Sequence, residues 1–280
     1  MRTHHIPLIL ALIAIVPLLA TSGKACADNY MRSEGESYYS ASLEGDTAHD
    51  RWNQQDKLEP LPCTARNWKL TQNYEYGLSY YNTFFGSLEY VNRKCGIYDA
   101  SGIGNLTFGI RRRIDIYRNG RSWEAEAIIP TGYSTTAKTT IGSGLYGLRL
   151  GLFGAFGENS LSNGDIISPL EMGANIYIWE GAASEQFAGY IKTNFLATNL
   201  SHFYATVEGD YALIDRSKNL NTTINSVSNY GYDRLNARLG FSSKISLNWR
   251  IAIEGTNVLR GRNTNDSNSI KLVVSRNFLD

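Results

Sequence analysis

The chain has 280 residues, with 27 basic against 26 acidic side chains. This near balance leaves no basic excess for nucleic acid, so we expect no nucleic-acid partner. The composition includes 18 Tyr and 26 Gly but only 6 Pro, which favours many strands with aromatic bands.

Residues 1–27 have the layout of a secretory signal peptide. A charged start and an apolar centre precede Ala-Cys-Ala at residues 25–27, which matches an Ala-x-Ala cleavage site. A lipoprotein signal ending at Cys26 is the alternative, and Lys24 fits it poorly. We therefore expect the exported chain to begin at Asp28.

Beyond the signal no apolar run reaches the about 20 residues of a membrane helix. The exported chain is therefore either secreted or inserted as strands. The clearest strand pair is residues 106–129, because Asn119-Gly120 is a strong signal for a two-residue hairpin turn. Counting back from that turn gives one apolar face and one charged face, with Arg113 opposite Glu126.

Arg112 interrupts the apolar face of this hairpin. A bulge near Gly109 would explain it, and so would an arginine that reaches the membrane interface. The sequence leaves both explanations open.

Residues 143–157 alternate between apolar and small or charged side chains. The apolar set is Tyr146, Leu148, Leu150, Leu152 and Phe156. Gly147 and Gly151 also fit the packing motif of a membrane helix, but the stretch is too short and Arg149 lies in its middle. We therefore predict a strand with its leucines on one face and Arg149 on the other.

About twelve such strands follow one another, and longer polar links alternate with tight ones. This pattern predicts an all-β fold, a transmembrane antiparallel up-and-down β-barrel formed by residues 28–280. A soluble sandwich has no reason for such alternation. The predicted long outer loops are residues 45–65, 92–104, 131–142, 214–230 and 259–268. We expect the barrel in the outer membrane of a Gram-negative bacterium, in contact with outer-membrane lipids and with both termini in the periplasm.

The face opposite the apolar one carries many charges, which a soluble core could not hold because each unpaired buried ion costs several kcal/mol. The predicted lumen residues are Arg111, Arg113, Asp115, Glu124, Glu126, Arg149, Glu171, Glu208, Asp210, Arg238, Arg250 and Glu254. One hypothesis is a transverse field at a constriction that selects solutes. Its opposed groups are Arg149, Arg238 and Arg250 against Glu171, Glu208 and Asp210. The alternative is a salt-bridged interior that conducts nothing.

Two cysteines remain after signal removal, Cys63 and Cys95. In an oxidising compartment such a pair predicts a disulfide, which would close a loop of about 30 residues and contribute about 2 to 4 kcal/mol. Cys63 precedes one predicted strand and Cys95 follows the next, and these ends meet in an antiparallel hairpin. Two unrelated thiols are the alternative.

The sequence offers no convincing catalytic or metal site. Ser201 and His202 are adjacent, so in a strand they face opposite sides and cannot form a nucleophile and base pair. A Gly-x-Ser-x-Gly elbow is missing from the sequence, and Asn265-Asp266 does not continue into a calcium loop. We therefore predict no enzyme, no cofactor and no metal.

Three short motifs carry a resemblance to known proteins. Gly-Ile-Gly-Asn-Leu from residue 102, Pro-Thr-Gly-Tyr from residue 130 and Ile-Gly-Ser-Gly from residue 141 resemble a family of bacterial outer-membrane barrels associated with phenol meta-cleavage pathway clusters. Its relatives are linked to exopolysaccharide and biofilm operons. The resemblance runs from about residue 66 to the end, although Asn105 stands where the family usually has Asp. It implies an outer-membrane barrel with a transport role and no catalytic residues.

The first functional hypothesis is thus passive passage of a small solute or a secreted glycan through the lumen. The second is a non-conducting structural or surface-interaction envelope protein, for example in biofilms, that acts through the disulfide-tied loops around Cys63 and Cys95. A lipid-active enzyme of the outer membrane ranks third.

Overall fold

The computed structural model describes residues 31–114, 120–131, 144–157, 159–160, 166–180, 185–198, 200–213 and 233–278. Within these ranges twelve antiparallel strands close into one barrel, in which chain neighbours pair and the first strand pairs with the last. The predicted all-β up-and-down barrel is confirmed. No helix in the described part is long and apolar enough to span a membrane.

The strands are β1 (Ser37–Trp52), β2 (Leu58–Ser79), β3 (Asn82–Cys95), β4 (Tyr98–Arg113), β5 (Ser122–Pro130), β6 (Gly147–Phe156), β7 (Asn159–Ser160), β8 (Ile166–Ile167), β9 (Leu170–Trp179), β10 (Gln186–Leu196), β11 (Ser201–Ala212), β12 (Asp233–Lys244), β13 (Trp249–Arg262) and β14 (Thr264–Phe278). The short β7 and β8 pair only with each other, in the connection between β6 and β9. All the others belong to the barrel.

The barrel is apolar outside and charged inside. Leu150 and Leu152 of β6 are 43% and 61% exposed, whereas Glu124 of the neighbouring β5 is 3% exposed. This is the reverse of a soluble protein, in which apolar side chains are buried and charges face water. An outward apolar surface around a polar interior is the pattern of a transmembrane barrel.

Ser37 pairs with Phe278, so both ends of the barrel sheet lie at one rim, called here the terminal end. The opposite rim is the loop end. The high wall, made of β13, β14 and β1–β4, has strands of 14–22 residues. The low wall, made of β5, β6 and β9–β12, has strands of 9–12 residues. Since about 9–11 tilted residues cross a bilayer, the high wall extends beyond the membrane at the loop end.

Three segments expected as long outer loops are largely strand. Within 45–65 only residues 53–57 lie between β1 and β2, within 92–104 only residues 96–97 are outside strands, and within 259–268 only Asn263 is. Strands that extend past the membrane have no lipid-facing side, so they lose the apolar alternation that would reveal them in a sequence.

Several other expectations lie outside the described residues. These are the signal peptide at 1–27, most of the loop at 131–142, the whole loop at 214–230, Asp115, and the first residue of the Asn119-Gly120 turn. They stay predictions.

The register of the β4–β5 hairpin differs from the one counted back from Asn119-Gly120. Arg111 lies opposite Glu124 and Arg113 opposite Ser122, because the connection between the two strands is longer than a two-residue turn. The displacement is an even number of residues. Each side chain therefore keeps the predicted face, although its partner changes.

Arg112 lies opposite Trp123 on the outer face, one residue from the terminal end of β4. The pairing of β4 with β5 has no bulge, and Gly109 lies directly opposite Glu126. An arginine beside a tryptophan at the end of a lipid-facing strand fits the membrane interface.

The disulfide between Cys63 and Cys95 is confirmed. It joins β2 to β3 in the high wall, with 5.4 Å between the two Cα atoms. Cys95 packs with Ala48 and Ala65, all at most 1% exposed. The bond therefore holds together strands that no membrane supports.

The charged lumen as candidate functional site

Acidic and basic side chains alternate along one side of the lumen. The series is Arg32, Glu75, Arg111, Glu124, Arg149 and Glu126. Successive nitrogen to oxygen distances are 2.5, 3.5, 2.5, 2.9 and 2.5 Å. This first ladder connects the segment before β1 with β2, β4, β5 and β6.

A second series runs from β11 through β14 and β1 to β3, so that it overlaps the first series at β2. Its ion pairs are Arg234 with Asp210 at 2.7 Å, Arg238 with Glu208 at 3.0 Å and with Glu254 at 3.8 Å, Lys271 with Glu254 at 3.2 Å, and Lys69 with Glu44 at 3.6 Å and with Glu89 at 3.7 Å. Between the two series, Lys192 lies 3.2 Å from Glu171. The lumen wall is therefore lined with paired charges.

These contacts do not form the predicted transverse field between opposite walls. Arg149 binds acids of the adjacent β5, and Arg238 binds Glu208 of the adjacent β11. Residues opposite each other on neighbouring strands lie about 5 Å apart, much closer than residues on opposite walls. The ions therefore pair within the wall.

Two further predicted lumen residues have different neighbours. The Arg250 guanidinium lies 3.5 Å from Nδ1 of His202 and 3.3 Å from the hydroxyl of Ser242. Arg113 stacks over the ring of Tyr80, 4.9 Å from its centroid. Both occupy inward-facing positions of their strands.

The lumen also contains charged residues that were not among the predicted ones. These include Arg32, Glu44, Lys69, Glu75, Glu89, Lys192, Arg234, Lys244 and Lys271. Those on strands occupy inward-facing positions. Marking every second residue along each strand would therefore have identified them. Arg32 precedes the first strand and carried no such signal.

Two cavities lie in series along the lumen. The terminal-side cavity has a volume of about 560 Å³ and the loop-side cavity about 330 Å³. Arg238 and Glu208 line both cavities. This ion pair therefore lies at the boundary between them.

The terminal-side cavity has an excess of positive charge among the described residues that line it. Six are basic, namely Arg32, Arg149, Lys192, Arg238, Lys244 and Arg250. Three are acidic, namely Glu171, Glu208 and Glu254. Since such a lining raises the local concentration of counter-ions, it favours anions over cations.

Large aromatic rings lie against the lumen wall, over glycines. A Cβ on Gly173 would be 2.5 Å from the ring of Tyr190 and 2.7 Å from that of Phe153, and a Cβ on Gly240 would be 2.2 Å from Tyr204. Glycine at these inward positions gives the rings room beside the backbone. The rings therefore take less of the lumen than they would above larger side chains.

Residues 31–36, which precede β1, are bound inside the lumen at the terminal end. The amide of Gly77 donates to the Glu36 carbonyl at 2.9 Å, and a Cβ on Gly77 would be 1.8 Å from the carbonyl oxygen of Ser33. Arg32 also donates its amide to the Thr83 hydroxyl at 3.0 Å. This terminal segment narrows one side of the lumen.

Ser201 and His202 contact different groups. The Ser201 hydroxyl lies 2.8 Å from that of Ser243, while His202 lies beside Arg250. The two side chains therefore do not form a nucleophile and base pair.

No family model and no curated protein matches the chain. Among solved structures, the COG4313 outer membrane channel from Pseudomonas putida F1 is similar with a TM-score of 0.70 and 11% identity, over 91% of this chain and 100% of that one. The NanC porin aligns with a TM-score of 0.48 and 9% identity, over 84% of this chain and 98% of that one. The first similarity establishes that this chain has the fold of an outer-membrane β-barrel.

Proposed function

We propose that the protein is a passive outer-membrane channel for small polar solutes, with a preference for anions. The observation that carries this proposal is the pair of lumen cavities in series, separated by the Arg238–Glu208 ion pair. A transmembrane barrel with a polar, charge-lined interior supplies a path for hydrophilic solutes that lipid excludes. Transport through such a passive channel is not coupled to an energy source, so solutes move down their concentration gradient.

The boundary pair is able to open at low cost. Its two side chains are 28% and 25% exposed, and ion pairs in contact with water contribute about 1 kcal/mol or less. Arg238 also has a second acid within reach, since its Nε lies 3.8 Å from Glu254. A passing solute can therefore displace Arg238 from Glu208 without leaving the guanidinium unpaired.

The excess of basic groups around the terminal-side cavity supports the preference for anions. Rings of charged side chains set ion preference in pores, and a narrow lumen with low-dielectric walls strengthens the effect. A secreted glycan is a polymer, so the boundary pair would have to stay open throughout its passage, whereas a small solute displaces the pair once. We therefore favour a small solute over a glycan.

The terminal end is assigned to the periplasm. The two longest connections between barrel strands, residues 131–146 and 213–232, are at the loop end, where the high wall also extends. Outer-membrane barrels place their longer connections outside the cell and their shorter turns in the periplasm. Membership in the meta-pathway-associated barrel family remains a proposal that rests on the motifs at residues 102, 130 and 141.

Planar-bilayer recording of the refolded full-length mature chain tests this function. We expect discrete conductance steps and, in a KCl gradient, a reversal potential of the sign that chloride selectivity produces. The absence of steps, for wild type and for Arg238→Ala alike, would contradict a channel and favour the non-conducting envelope protein. Steps with cation selectivity would retain the channel and refute the anion preference.

A further inference from the structure

The outer surface of the low wall contains a depression of about 570 Å³. Its floor is Ala174, Gly189 and Gly209, which lie directly opposite one another on β9, β10 and β11. Leu152 of β6 and Leu235 of β12 continue the same row and close its two ends. Since neighbouring strands are about 4.8 Å apart, the floor extends about 10 Å across the wall.

Apolar side chains form the two sides of this depression. Ile191 and Val207, 55% and 51% exposed, lie on the side nearer the terminal end. Phe187 and Tyr211, 39% and 49% exposed, lie on the other side. The result is a groove between two apolar rows, which we call the outer groove.

The glycine at the centre of the floor is not required by the packing of the protein. A Cβ on Gly189 would have only ordinary contacts, 3.5 Å from the Gly173 carbonyl and 3.7 Å from Phe187. Glycine weakens a strand because it supplies no side chain and loses more conformational freedom on folding. The lumen glycines Gly173 and Gly240 accommodate aromatic rings of the chain itself, whereas the space above Gly189 is open to the membrane.

One charged side chain is among the described residues that line the outer groove. Arg121, in the connection between β4 and β5, lies beside Gly154 and Phe156 at the terminal end of the groove. Arg121 is exposed. A guanidinium at the membrane surface, beside an apolar groove that leads into the bilayer, complements a molecule with an anionic head and an apolar chain.

We propose that the outer groove binds a phospholipid of the leaflet at the terminal end. One acyl chain lies on the floor at Ala174 and Gly189, beside the Tyr211 ring that packs over Gly209, and Arg121 pairs with the phosphate. The groove faces the apolar phase of the membrane, so its occupant is a membrane component, and Arg121 selects one that carries a phosphate. This site does not depend on whether the lumen conducts.

The test is lipid titration of the refolded, lipid-free mature chain in detergent, with phosphatidylglycerol as the probe and native mass spectrometry as the readout. Gly189→Leu fills the floor, and Arg121→Gln removes the charge. Each has a matched control: Gly255→Leu lies on the outer face of β13 with open space around the added Cβ, and Arg112→Gln lies on the same hairpin as Arg121 but outside the groove. Heat-modifiable gel mobility verifies that every variant is folded.

We expect one tightly bound phosphatidylglycerol per wild-type chain, about tenfold weaker binding for each groove variant, and affinities within about twofold of wild type for the two controls. Arg121→Gln is at an exposed position, so it tests the site even if Gly189→Leu does not fold. Equal lipid binding by wild type and both groove variants overturns the proposal. So does a wild-type dimer that Gly189→Leu converts to monomer without a change in lipid binding, because the groove would then be an interface between two copies.

Discussion

Arg238 of β12 and Glu208 of β11 lie side by side on the lumen wall, with 3.0 Å between Nη2 and Oε2, and both line the two cavities on either side of them. The pair thus lies where the two cavities of the proposed path meet. Its two members carry opposite charges. Removal of Arg238 and removal of Glu208 should therefore change the ion preference in opposite directions.

We expect Arg238→Gln to shift the channel toward cations and Glu208→Gln to shift it further toward anions. The shift follows from the change in net charge at the boundary of the two cavities. Reversal potentials in a KCl gradient measure it. Leu239→Ala is the matched control, since Leu239 is the next residue on β12, faces outward and is 68% exposed; a similar shift there would show that the boundary pair does not set selectivity.

We expect Gly240→Val to lower the single-channel conductance. Its Cβ would overlap the ring of Tyr204 at 2.2 Å, so the ring must move away from the wall and into the lumen. Such overpacking also destabilises by about 1 to 3 kcal/mol. Conductance and thermal unfolding measure the two effects. Gly255→Val has open space around the added side chain and should leave both near wild type; unchanged conductance in Gly240→Val would mean that Tyr204 does not border the path.

We expect Arg32→Ala to release the terminal segment and raise the conductance. Arg32 is 6% exposed and donates to Glu75 at 2.5 Å, so its loss removes one anchor of residues 31–36. Glu75 keeps Arg111 as a partner at 3.5 Å, which limits the destabilisation. Protease digestion at the N-terminus of the folded barrel reports the release.

The control for Arg32→Ala is Arg51→Ala, which breaks a half-exposed pair with Glu59 on the high wall. We expect this variant to conduct like wild type. If both variants had the same larger conductance, the effect would come from lost positive charge and not from the terminal segment.

We expect loss of the Cys63–Cys95 bond to lower the free energy of unfolding by about 2 to 4 kcal/mol, because the bond limits the unfolded chain over a sequence separation of 32 residues. Conductance should stay unchanged, since the bond lies in the high wall and lines neither lumen cavity. Urea unfolding of wild type with and without reductant measures the loss. The double variant Cys63→Ser/Cys95→Ser should be insensitive to reductant, and equal stability of wild type in both conditions would contradict the prediction.

The features that follow from the sequence alone depend on neighbours along the chain. Glu124, Glu126 and Arg149 are on the inward face because alternation along a strand assigns the face, whatever the register. The even displacement of the β4–β5 hairpin moved Arg113 from Glu126 to Ser122 without changing its face. The Cys63–Cys95 bond was predictable in the same way, since the two residues flank one hairpin.

The features that the sequence did not predict depend on chain closure. The segments at 45–65 and 92–104 are mostly strand because β1, β2 and β3 support one another above the membrane, where no lipid imposes alternation. Arg32 reaches Glu75 and Thr83 across more than 40 residues of sequence. No local pattern specifies such a contact.

The sequence by itself determined the barrel fold, the two faces of its lipid-facing strands and the disulfide, because side-chain direction in a strand repeats every two residues. Only the tertiary structure decided which charges pair, where the Arg238–Glu208 boundary lies and that Ala174, Gly189 and Gly209 form one groove. The physical reason is that these features require a register between strands, and closure of the barrel fixes that register for all twelve strands at once.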